Sequence, residues 1–562
     1  MTFHSLRALT SLKVLNLGYN NLKGYFPALG MFLLWKTWRY WISDNHMEGF
    51  EQVSLLKKLK ILYLWGNNFN VSFITSLSAL PILKSLDLGY NSRLHGTSFP
   101  VEAQLTNLQE LDLSGNRFND TPSIQECTRL SRLKKLKSIT LQGNNFNKNI
   151  ISCLNVLPSL KTLDLSNGVS SGELLHLSDL EVLLSSNNDF NGTLSMEAFT
   201  SLHNLKFLDL SWKNFVGSIP STINALSPSI GVVSFANNKF NGLILGLCEL
   251  KHLRELDLSH NMFEGNLPQC FNSLSSLKLL DISSNQFRGT LPPLLIAILT
   301  SLEYVDFSDD NFKGAFSFSS FSSHTKLEVV IFKCNNDKFE METKEPMGCI
   351  PMFQLKALVL SGCNLNRPKA SVVPRFLLQQ RMLWMIDLSH NSLRGQFPNR
   401  LIENNTMLEA LILRNNSFGG TINLPLHTHA NLTWLDMSEN QIFRTIPRDI
   451  HKFFPYLTYL NLSRNSLNGS ILSSIGDLSG LKVLDLSDTE FSGEILKLSK
   501  NLLHGMVLSG NLSFGRFPHW ISNMSYKFEL VARNNSLEDP FPCPKTPFSF
   551  LDISQNFSRG PS

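Results

Sequence analysis

Leucines recur along the chain in a fixed phrase, L-x-x-L-x-L-x-x-N, in which an asparagine follows the last leucine by three positions. The last two leucines lie two residues apart, so they share one face of a short strand while the residues between them face the other way. The phrase therefore predicts one short strand per copy, followed by a turn at the asparagine. Clear copies occupy residues 12–24, 108–118, 253–268, 277–292, 383–398 and 457–469.

Counting from this asparagine, which we call the anchor, divides the chain into 23 units that are mostly 22–25 residues apart. Eighteen anchors are Asn. The exceptions are Gly168, Lys213, Asp310, Cys363 and Thr489. One unit cannot bury its own apolar face, so neighbouring units must stack. The anchor positions are 20, 45, 67, 91, 116, 144, 168, 188, 213, 238, 261, 285, 310, 335, 363, 391, 416, 440, 465, 489, 511, 535 and 556.

This repeat predicts an α/β solenoid of leucine-rich repeats over 1–562, a right-handed superhelix or horseshoe with a parallel β-sheet on its concave face. The anchor amide should bond the backbone of neighbouring coils, and a Phe or Leu two residues later should refill the core. Two segments interrupt the pattern. Residues 25–45 are predicted to be a degenerate, Trp-rich coil, with an aromatic binding patch as the alternative. Residues 337–352 are predicted to be a charged insertion loop, and Cys349 is a candidate partner for Cys334.

Composition and motifs argue against catalysis and nucleic-acid binding. The net charge is only +5 over 562 residues, too small for a nucleic-acid footprint. The densest apolar stretches, 28–35 and 291–299, are far shorter than the roughly 20 residues that span a bilayer. There is no CxxC, Walker-type, dinucleotide-binding, H-E-x-x-H or G-x-S-x-G motif. His427 and His429 form an H-x-H that we expect to be solvated. We therefore expect no enzyme activity, no cofactor and no metal site.

A motif at the end of several repeats resembles the repeats of a known family. G-x-[ILF]-P follows the anchor at 217–220, 265–268, 395–398 and 515–518, as in the plant-specific class of 24-residue leucine-rich repeats. The phrases at 246–289 and 355–366 resemble ectodomains of plant receptor-like proteins. The resemblance implies a non-catalytic recognition module facing outward from the plasma membrane. Its concave face would bind a peptide, glycan or elicitor, and it would signal in defence or development through partner receptor kinases.

The sequence also departs from that family. We identify no signal peptide, cysteine-paired cap, transmembrane helix or kinase domain, so we expect a truncated or divergent member. Contact with a membrane would then run only through a segment absent from this chain. Two alternatives stay open: a secreted protein resembling polygalacturonase inhibitors, and the ectodomain of a leucine-rich-repeat receptor kinase.

Cysteines and sequons bear on the compartment. Cys248 and Cys270 precede their anchors by 13 and 15 residues, a near-equal phase that predicts a disulfide between adjacent coils. The alternative is two buried free thiols, whereas the disulfide would favour an oxidising compartment. Asn511 and Asn556 are sequons at anchors, where a folded coil should hide them. The predicted glycosylation sites are Asn70, Asn119, Asn191, Asn404, Asn415, Asn431, Asn461, Asn468, Asn523 and Asn534.

Outward strand positions that depart from the recurrent Leu-Asp-Leu-Ser are the candidate ligand contacts, because aromatic residues and Arg dominate binding hot spots. The best group is Trp434, Tyr459 and Arg464, on adjacent coils. Asp lies four residues before the anchor in eleven units, often with Lys or Arg three residues earlier, which predicts a neutralised charge lattice. The other candidate ligand contacts are Arg414, Tyr63, Trp65 and Tyr90.

Overall fold

The described coils form two compact units, 1–264 and 265–562. In each unit the predicted leucine pairs form short parallel strands of one sheet, which we call the main sheet of that unit. That the chain is one uninterrupted solenoid over 1–562 stays a prediction. The computed structural model describes residues 13–27, 39–95, 105–119, 127–128, 130–146, 149–167, 177–188, 191–343, 351–367, 373–471, 473–495, 503–523, 528–538, 540–543, 545 and 548–556.

In the first unit each main-sheet strand buries its central residue, and the flanking residues, apart from the buried Ser85, are partly or fully exposed. Leu183 and Leu208 are fully buried and lie opposite each other in the register. The predicted alternation of faces is therefore confirmed. The main-sheet strands of this unit are Val14–Asn16, Arg39–Trp41, Ile61–Tyr63, Ser85–Asp87, Glu110–Asp112, Ser138–Thr140, Thr162–Asp164, Val182–Leu184, Phe207–Asp209, Val232–Ser234 and Glu255–Asp257.

The second unit repeats this construction. Leu411, Leu435 and Leu460 lie side by side in register and are buried. Its main-sheet strands are Leu279–Asp281, Tyr304–Asp306, Val329–Lys333, Ala357–Ser361, Met385–Asp387, Ala410–Ile412, Trp434–Asp436, Tyr459–Asn461, Val483–Asp485, Gly505–Val507, Glu529–Val531 and Phe550–Asp552.

Further strands, which the sequence did not predict, follow many of the anchors and pair in parallel with each other. In the first unit they are Lys23–Phe26, His46–Phe50, Asn191–Thr193, Asn214–Ser218, Lys239–Gly242 and Met262–Gly265. In the second unit they are Gln286–Gly289, Asn311–Phe312, Gly314–Ser317, Phe339–Glu342, Arg394–Gln396, Ser417–Gly420, Gln441–Arg444, Ser466–Gly469, Glu490–Gly493, Leu512–Arg516 and Ser536–Glu538.

Short helices return the chain to the next main-sheet strand. None of the helices in the described part of the chain is long and apolar enough to cross a membrane. The α-helices are Val71–Ser76, Asn149–Leu154, Pro293–Ile298, Asn399–Asn404, Ile450–Phe453 and Ser473–Gly476. The 3-10 helices are Val53–Leu55, Leu77–Ala79, Glu197–Phe199, Ser221–Ala225, Leu245–Glu249, Gln269–Ser273, Phe318–Phe321, Arg375–Gln379 and His519–Asn523.

The anchor asparagines join neighbouring coils as predicted. Asn440 Nδ2 donates to the carbonyl of Leu413 in the preceding coil and to those of Met437 and Ser438 in its own, each at 3.0 Å. Its Oδ1 accepts the backbone N–H of Phe418 at 3.0 Å. One buried side chain thus satisfies four backbone groups that would otherwise lie unpaired in the core.

The residues that replace Asn at the anchor position make different hydrogen bonds from those of the asparagines. Thr489 Oγ1 donates to Asn511 Oδ1 at 2.6 Å. The Lys213 Nζ donates to Ser185 Oγ at 3.1 Å, and burial lowers the pKa of this lysine to about 7. Asp310 Oδ1 accepts the Phe287 N–H at 2.9 Å, and burial raises the pKa of this carboxyl to about 8. Gly168 lies outside the described residues.

One coil departs from the predicted anchoring. Asn335 is exposed and donates to Asp309 Oδ1 at 2.5 Å, so its assignment as a buried anchor is wrong. The preceding residue, Cys334, instead forms a disulfide with Cys363, with the two Cα atoms 5.0 Å apart. Cys363 therefore occupies its anchor position as one half of a structural disulfide. The suggested Cys334–Cys349 pairing is wrong because Cys334 already has this partner. A second bridge, which we did not predict, joins Cys127 and Cys153.

Both interruptions contain ordinary coil structure. Within the predicted insertion loop, Phe339–Glu342 is a strand paired with Gly314–Ser317, and its Phe339 and Met341 are buried. This part of the insertion is therefore not a surface loop, because alternate apolar side chains fill the core; residues 344–350 lie outside the described part. In the Trp-rich coil, Arg39–Trp41 is a main-sheet strand, and residues 28–38 lie outside the described part.

The row of aspartates is stabilised locally rather than by lysines. In all eleven coils the Asp Oδ1 accepts the backbone N–H two residues later; in Asp436 this bond to Ser438 is 3.0 Å long. Four of the lysines seven residues before the anchors bond glutamates of adjacent coils instead: Lys161, Lys206, Lys278 and Lys356. The predicted Lys–Asp lattice is wrong because the aspartates serve the turn that follows each strand.

Candidate ligand-binding surface

Two aromatic side chains stack on the exposed face of the second unit's main sheet. Trp434 and Tyr459 begin adjacent strands and lie opposite each other in the parallel register. Their ring centroids are 3.7 Å apart and the ring planes differ by 5°. Trp434 keeps 40% of its surface exposed, whereas Tyr459 is half-buried. The buried Leu435 and Leu460 that follow fix both strands in the core, so the stacked pair stands on a rigid base.

Two arginines meet one carboxylate beside this pair. Arg414 Nη2 lies 2.7 Å from Glu439 Oε1, and Arg464 Nη1 lies 3.2 Å from the same oxygen. Arg464 Nε also lies 3.5 Å from Asp488 Oδ2. These residues occupy the turns after the strands of four successive coils. Together with Trp434 and Tyr459, they form what we call the aromatic–arginine patch.

The charged residues of the aromatic–arginine patch shift one another's pKa values. Burial favours a raised pKa for Glu439, but the hydrogen bond from Arg414 and the charges of Arg414 and Arg464 outweigh it, so the pKa lies below its usual range. The hydrogen bond to Glu439 correspondingly raises the pKa of Arg414. Burial raises the pKa of Tyr459, a rise that the nearby Arg414 partly offsets. Glu439 and Arg414 are therefore charged near neutral pH, and Tyr459 is neutral.

The other predicted contacts gather in the first unit. Trp65 and Tyr90 have ring centroids 5.1 Å apart, and Tyr63 stacks with Trp41 at 6.0 Å. Glycine makes room for these rings, because a Cβ at Gly115 would lie 2.8 Å from the ring of Tyr90. The predicted residues therefore form two separate groups, Trp434, Tyr459, Arg414 and Arg464 in one unit and Tyr63, Trp65 and Tyr90 in the other.

Sequence reasoning missed the two acidic residues that contact the arginines of the aromatic–arginine patch. It did not single out Glu439 and Asp488, although both lie one residue before their anchors, in phase with Arg464. That common phase would have placed them in one column. His429, expected to be solvated, is buried, and its Nε2 lies 2.8 Å from the carbonyl oxygen of Asn405. It therefore serves the packing of its coil.

Some of the predicted glycosylation sites are exposed, and others are buried or half-buried. A glycan on Asn461 does not fit, because this residue is 8% exposed and its Oδ1 accepts the N–H of Ser463. Asn70 caps the helix Val71–Ser76 and is half-buried. The side chains of Asn191 and Asn523 lie outside the described part of the structure. The exposed predicted acceptors are Asn119, Asn404, Asn415, Asn431, Asn468 and Asn534. Use of these sites stays a prediction.

Most of the cysteines in the described part of the chain form disulfides. Cys248 and Cys270 are both in disulfides, and their predicted pairing stays a prediction. Cys543 is an exposed free thiol. Four further half-cystines lie in the two bridges between adjacent coils described above. Bridges of this kind are typical of proteins that fold in an oxidising compartment.

The repeat geometry defines a leucine-rich-repeat protein, and sequence comparison agrees. Leucine-rich-repeat family models match residues 57–118, 430–491, 252–274 and 276–297. Receptor-like protein 13 of Arabidopsis thaliana is 34% identical over 494 residues, 85% of this chain and 44% of that protein. Cuscuta receptor 1 of Solanum lycopersicum is 33% identical over 579 residues, 88% of this chain and 50% of that protein. The chain thus spans half the length of these relatives or less.

Solved structures point to the same class. The ectodomain of the Arabidopsis thaliana receptor kinase GASSHO1/SCHENGEN3, in complex with CASPARIAN STRIP INTEGRITY FACTOR 2, matches 99% of this chain and 68% of its own, with a TM-score of 0.63 and 26% identity. PEPR1 in complex with AtPEP1 matches 99% of this chain and 87% of its own, with a TM-score of 0.62 and 24% identity, a likeness of fold. The chain belongs to the plant leucine-rich-repeat receptor-like proteins.

Proposed function

We propose that this chain is the non-catalytic extracellular recognition module of a plant receptor-like protein, and that it binds a peptide on the exposed face of the second unit's main sheet. The observation that carries the proposal is the stacked Trp434–Tyr459 pair beside the Arg414–Glu439–Arg464 contacts. Aromatic residues and Arg on a rigid base supply contact area and charged hydrogen bonds at low cost in conformational entropy. Signalling would pass through partner receptor kinases at the cell surface.

Two kinds of observation support a peptide over other ligands. The plant ectodomains with this fold include GASSHO1/SCHENGEN3 and PEPR1, each solved with its named ligand. HAESA, another such ectodomain, was solved with the peptide hormone IDA and the co-receptor SERK1. The patch also offers both charge signs, in Arg414, Arg464, Glu439 and Asp488, which suits a chain of mixed side chains and termini.

The test is selection of peptides from a random displayed library on the purified chain, followed by calorimetry of the selected peptides. Trp434→Ala, Tyr459→Ala and Arg464→Ala together should weaken binding at least about 100-fold, since each hot-spot residue contributes about 1–2 kcal/mol or more. The matched control removes the same residue types elsewhere in the unit, at exposed Trp384 and Tyr456 and at Arg533. Equal losses in both triple variants, or no loss in either, would discard the patch.

A further inference from the structure

Two exposed asparagines of the second unit occupy the same position of the repeat, five coils apart. Asn415 and Asn534 each lie one residue before an anchor and begin the sequon Asn-Asn-Ser. Both have a left-handed backbone, with φ of 50° and 54°. Five successive strand pairings connect their coils, and paired strands lie about 4.8 Å apart, so the two positions are separated by about 24 Å along the sheet.

The amide nitrogen of Asn415, the atom that would carry a sugar, points away from the aromatic–arginine patch. It lies 2.7 Å from Nδ1 of His390 in the preceding coil, whereas Glu439 of the patch lies in the following coil. An asparagine amide has two hydrogens, so glycosylation replaces one and leaves the other for this contact. Asn431 is also exposed, and its Nδ2 donates to the carbonyl of Thr406 in the preceding coil at 2.8 Å. Glycans at both positions would therefore stand beside the patch without covering it.

The sequons between Asn431 and Asn534 lie off the exposed face of the main sheet. Asn461 and Asn511 are buried. Asn468 is exposed, but it belongs to Ser466–Gly469, a strand that follows the anchor and pairs in a different sheet. Asn523 lies 12 residues before its anchor, in the 3-10 helix that returns the chain to the next strand. In the described part of this face, no exposed sequon asparagine therefore interrupts the interval.

Four coils fill this interval, with anchors at 440, 465, 489 and 511, and we call their exposed face the window. The window holds the aromatic–arginine patch except for Arg414, whose side chain reaches Glu439 from the preceding coil. A Cβ at Gly505 would meet no atom within 4 Å, so the face stays open up to the coil before Asn534. The residues six before the four anchors are Trp434, Tyr459, Val483 and Gly505, and those one before them are Glu439, Arg464, Asp488 and Gly510.

We propose that N-glycans on Asn415, Asn431 and Asn534 bound the peptide site, so that the ligand is a short linear peptide with about seven residues lying across the window. This inference rests on the proposed function, because it takes the aromatic–arginine patch as the peptide site. An extended chain advances about 3.4 Å per residue, so about 24 Å accommodates about seven residues. A glycan is bulky and hydrated, so residues of the peptide beyond either boundary are held off the sheet and add no affinity.

The first experiment maps the glycans and then the length of the bound peptide. Glycopeptide mass spectrometry of the full chain from a plant expression host should find sugars on Asn415, Asn431 and Asn534. Peptides selected from a random displayed library on this glycoprotein are then shortened and measured by calorimetry. Affinity should hold down to a core of about seven residues and fall at least about tenfold on further shortening. Changing the three asparagines to Gln should yield longer cores, whereas Asn404→Gln with Asn468→Gln, which removes two exposed sequons outside the window, should not.

The second experiment places a glycan inside the window. Arg464→Asn creates the sequon Asn-Asn-Ser at the position of the boundary sequons, because Asn465 and Ser466 follow it. In the fraction that carries the new glycan, the selected peptides should bind at least about 100-fold more weakly than to Arg464→Gln, which removes the same guanidinium without adding a sugar. Arg464→Asn combined with Ser466→Ala lacks the sequon and should bind as Arg464→Gln does.

Three results would overturn the proposal. The first is the absence of sugar from Asn415 or Asn534. The second is a peptide core of the same length in the wild type and in the variant that lacks the boundary sequons. The third is equal affinity for Arg464→Gln and the glycosylated Arg464→Asn protein. Failure of the peptide site itself has a different signature, because the Trp434/Tyr459/Arg464 triple variant would then keep full affinity for the selected peptides, whatever sugars the chain carries.

Discussion

The anchor asparagine is the residue on which each coil depends, because one amide serves both its own turn and the coil before it. Asn440 is 8% exposed and makes three donor contacts and one acceptor contact with backbone atoms. Asn20, in the first described coil, is exposed, and among the described residues it bonds the carbonyls of Leu17 and Gly18 in its own turn. The same repeat position thus holds a buried asparagine in one coil and an exposed one in another.

Replacing Asn440 with Ala should lower the free energy of unfolding by about 2–4 kcal/mol, because several buried backbone groups lose their partner. Asn20→Ala should cost less than about 1 kcal/mol, since water replaces its contacts. Urea unfolding followed by circular dichroism measures both. Similar losses in the two variants would show that the contact between coils is not what the asparagine contributes.

Asp310 is an anchor whose stability contribution depends on pH. Burial raises its pKa to about 8, and its Oδ2 has no hydrogen-bond partner among the described residues. The unfolded carboxyl titrates near its ordinary pKa of 3.8, so the folded chain binds the extra proton between about pH 4 and pH 8. Stability from this residue is therefore full below about pH 4 and is lost as the pH rises through about 8.

Asp310→Asn should remove this loss, because an amide cannot ionise and can donate to the carbonyls that other anchors reach. We expect the variant to gain stability over the wild type progressively from pH 5 to pH 8, by about 1–3 kcal/mol at the upper end. Thermal melts across that range measure the difference. Parallel pH profiles for the two proteins would show that Asp310 does not carry the dependence.

At the scale of neighbouring turns, Glu439 contacts two arginines, and these contacts add little to the free energy of unfolding. Arg414 and Arg464 are 46% and 61% exposed in their side chains, and exposed ion pairs contribute about 0–1 kcal/mol each. The role of Glu439 is therefore to orient the guanidinium groups beside Trp434 and Tyr459.

Glu439→Gln should change the melting temperature little, corresponding to less than about 1 kcal/mol, while changing the affinity of peptides selected on the wild type by about tenfold or more. Calorimetry and a thermal melt on the same preparation separate the two effects. Arg254→Gln, at an exposed position of the first unit, is the charge-change control. A large loss of stability with unchanged affinity would make Glu439 a structural residue only.

The strands of the main sheets could be predicted because their signal is periodic and local. Trp434 and Tyr459 both lie six residues before their anchors, so equal phase alone predicts that they are neighbours. The strands that follow the anchors carry a weaker signal: many bury a single side chain, such as Phe240 in Lys239–Gly242, and every residue of Arg394–Gln396 is exposed. The Cys334–Cys363 bridge was hidden by assigning the anchor to Asn335. The near-equal phase that we used for Cys248 and Cys270 would also have found Cys127–Cys153, at 17 and 15 residues before their anchors.

At the scale of each unit, stability is a sum of contacts between neighbouring coils, so a coil with fewer neighbours is less protected. In the second unit, Ala410–Ile412 pairs with strands on both sides, and its Leu411 is fully buried. Phe550–Asp552 pairs with Glu529–Val531 on one side, and among the described strands none lies on the other. Its Leu551 is 39% exposed, although it occupies the position that Leu411 fills.

Hydrogen exchange followed by mass spectrometry should therefore show a gradient within this unit. Amides of residues 548–556 should exchange at least about tenfold faster than those of 408–416, after correction for intrinsic rates, because opening the last described coil breaks one interface instead of two. Leu411→Ala is the internal check: its cavity should weaken protection in 408–416 and in the adjacent strand Trp434–Asp436, and leave 548–556 unchanged. Uniform protection across all these segments, or a loss spread over the whole unit in the variant, would instead mean that the coils unfold as one cooperative block.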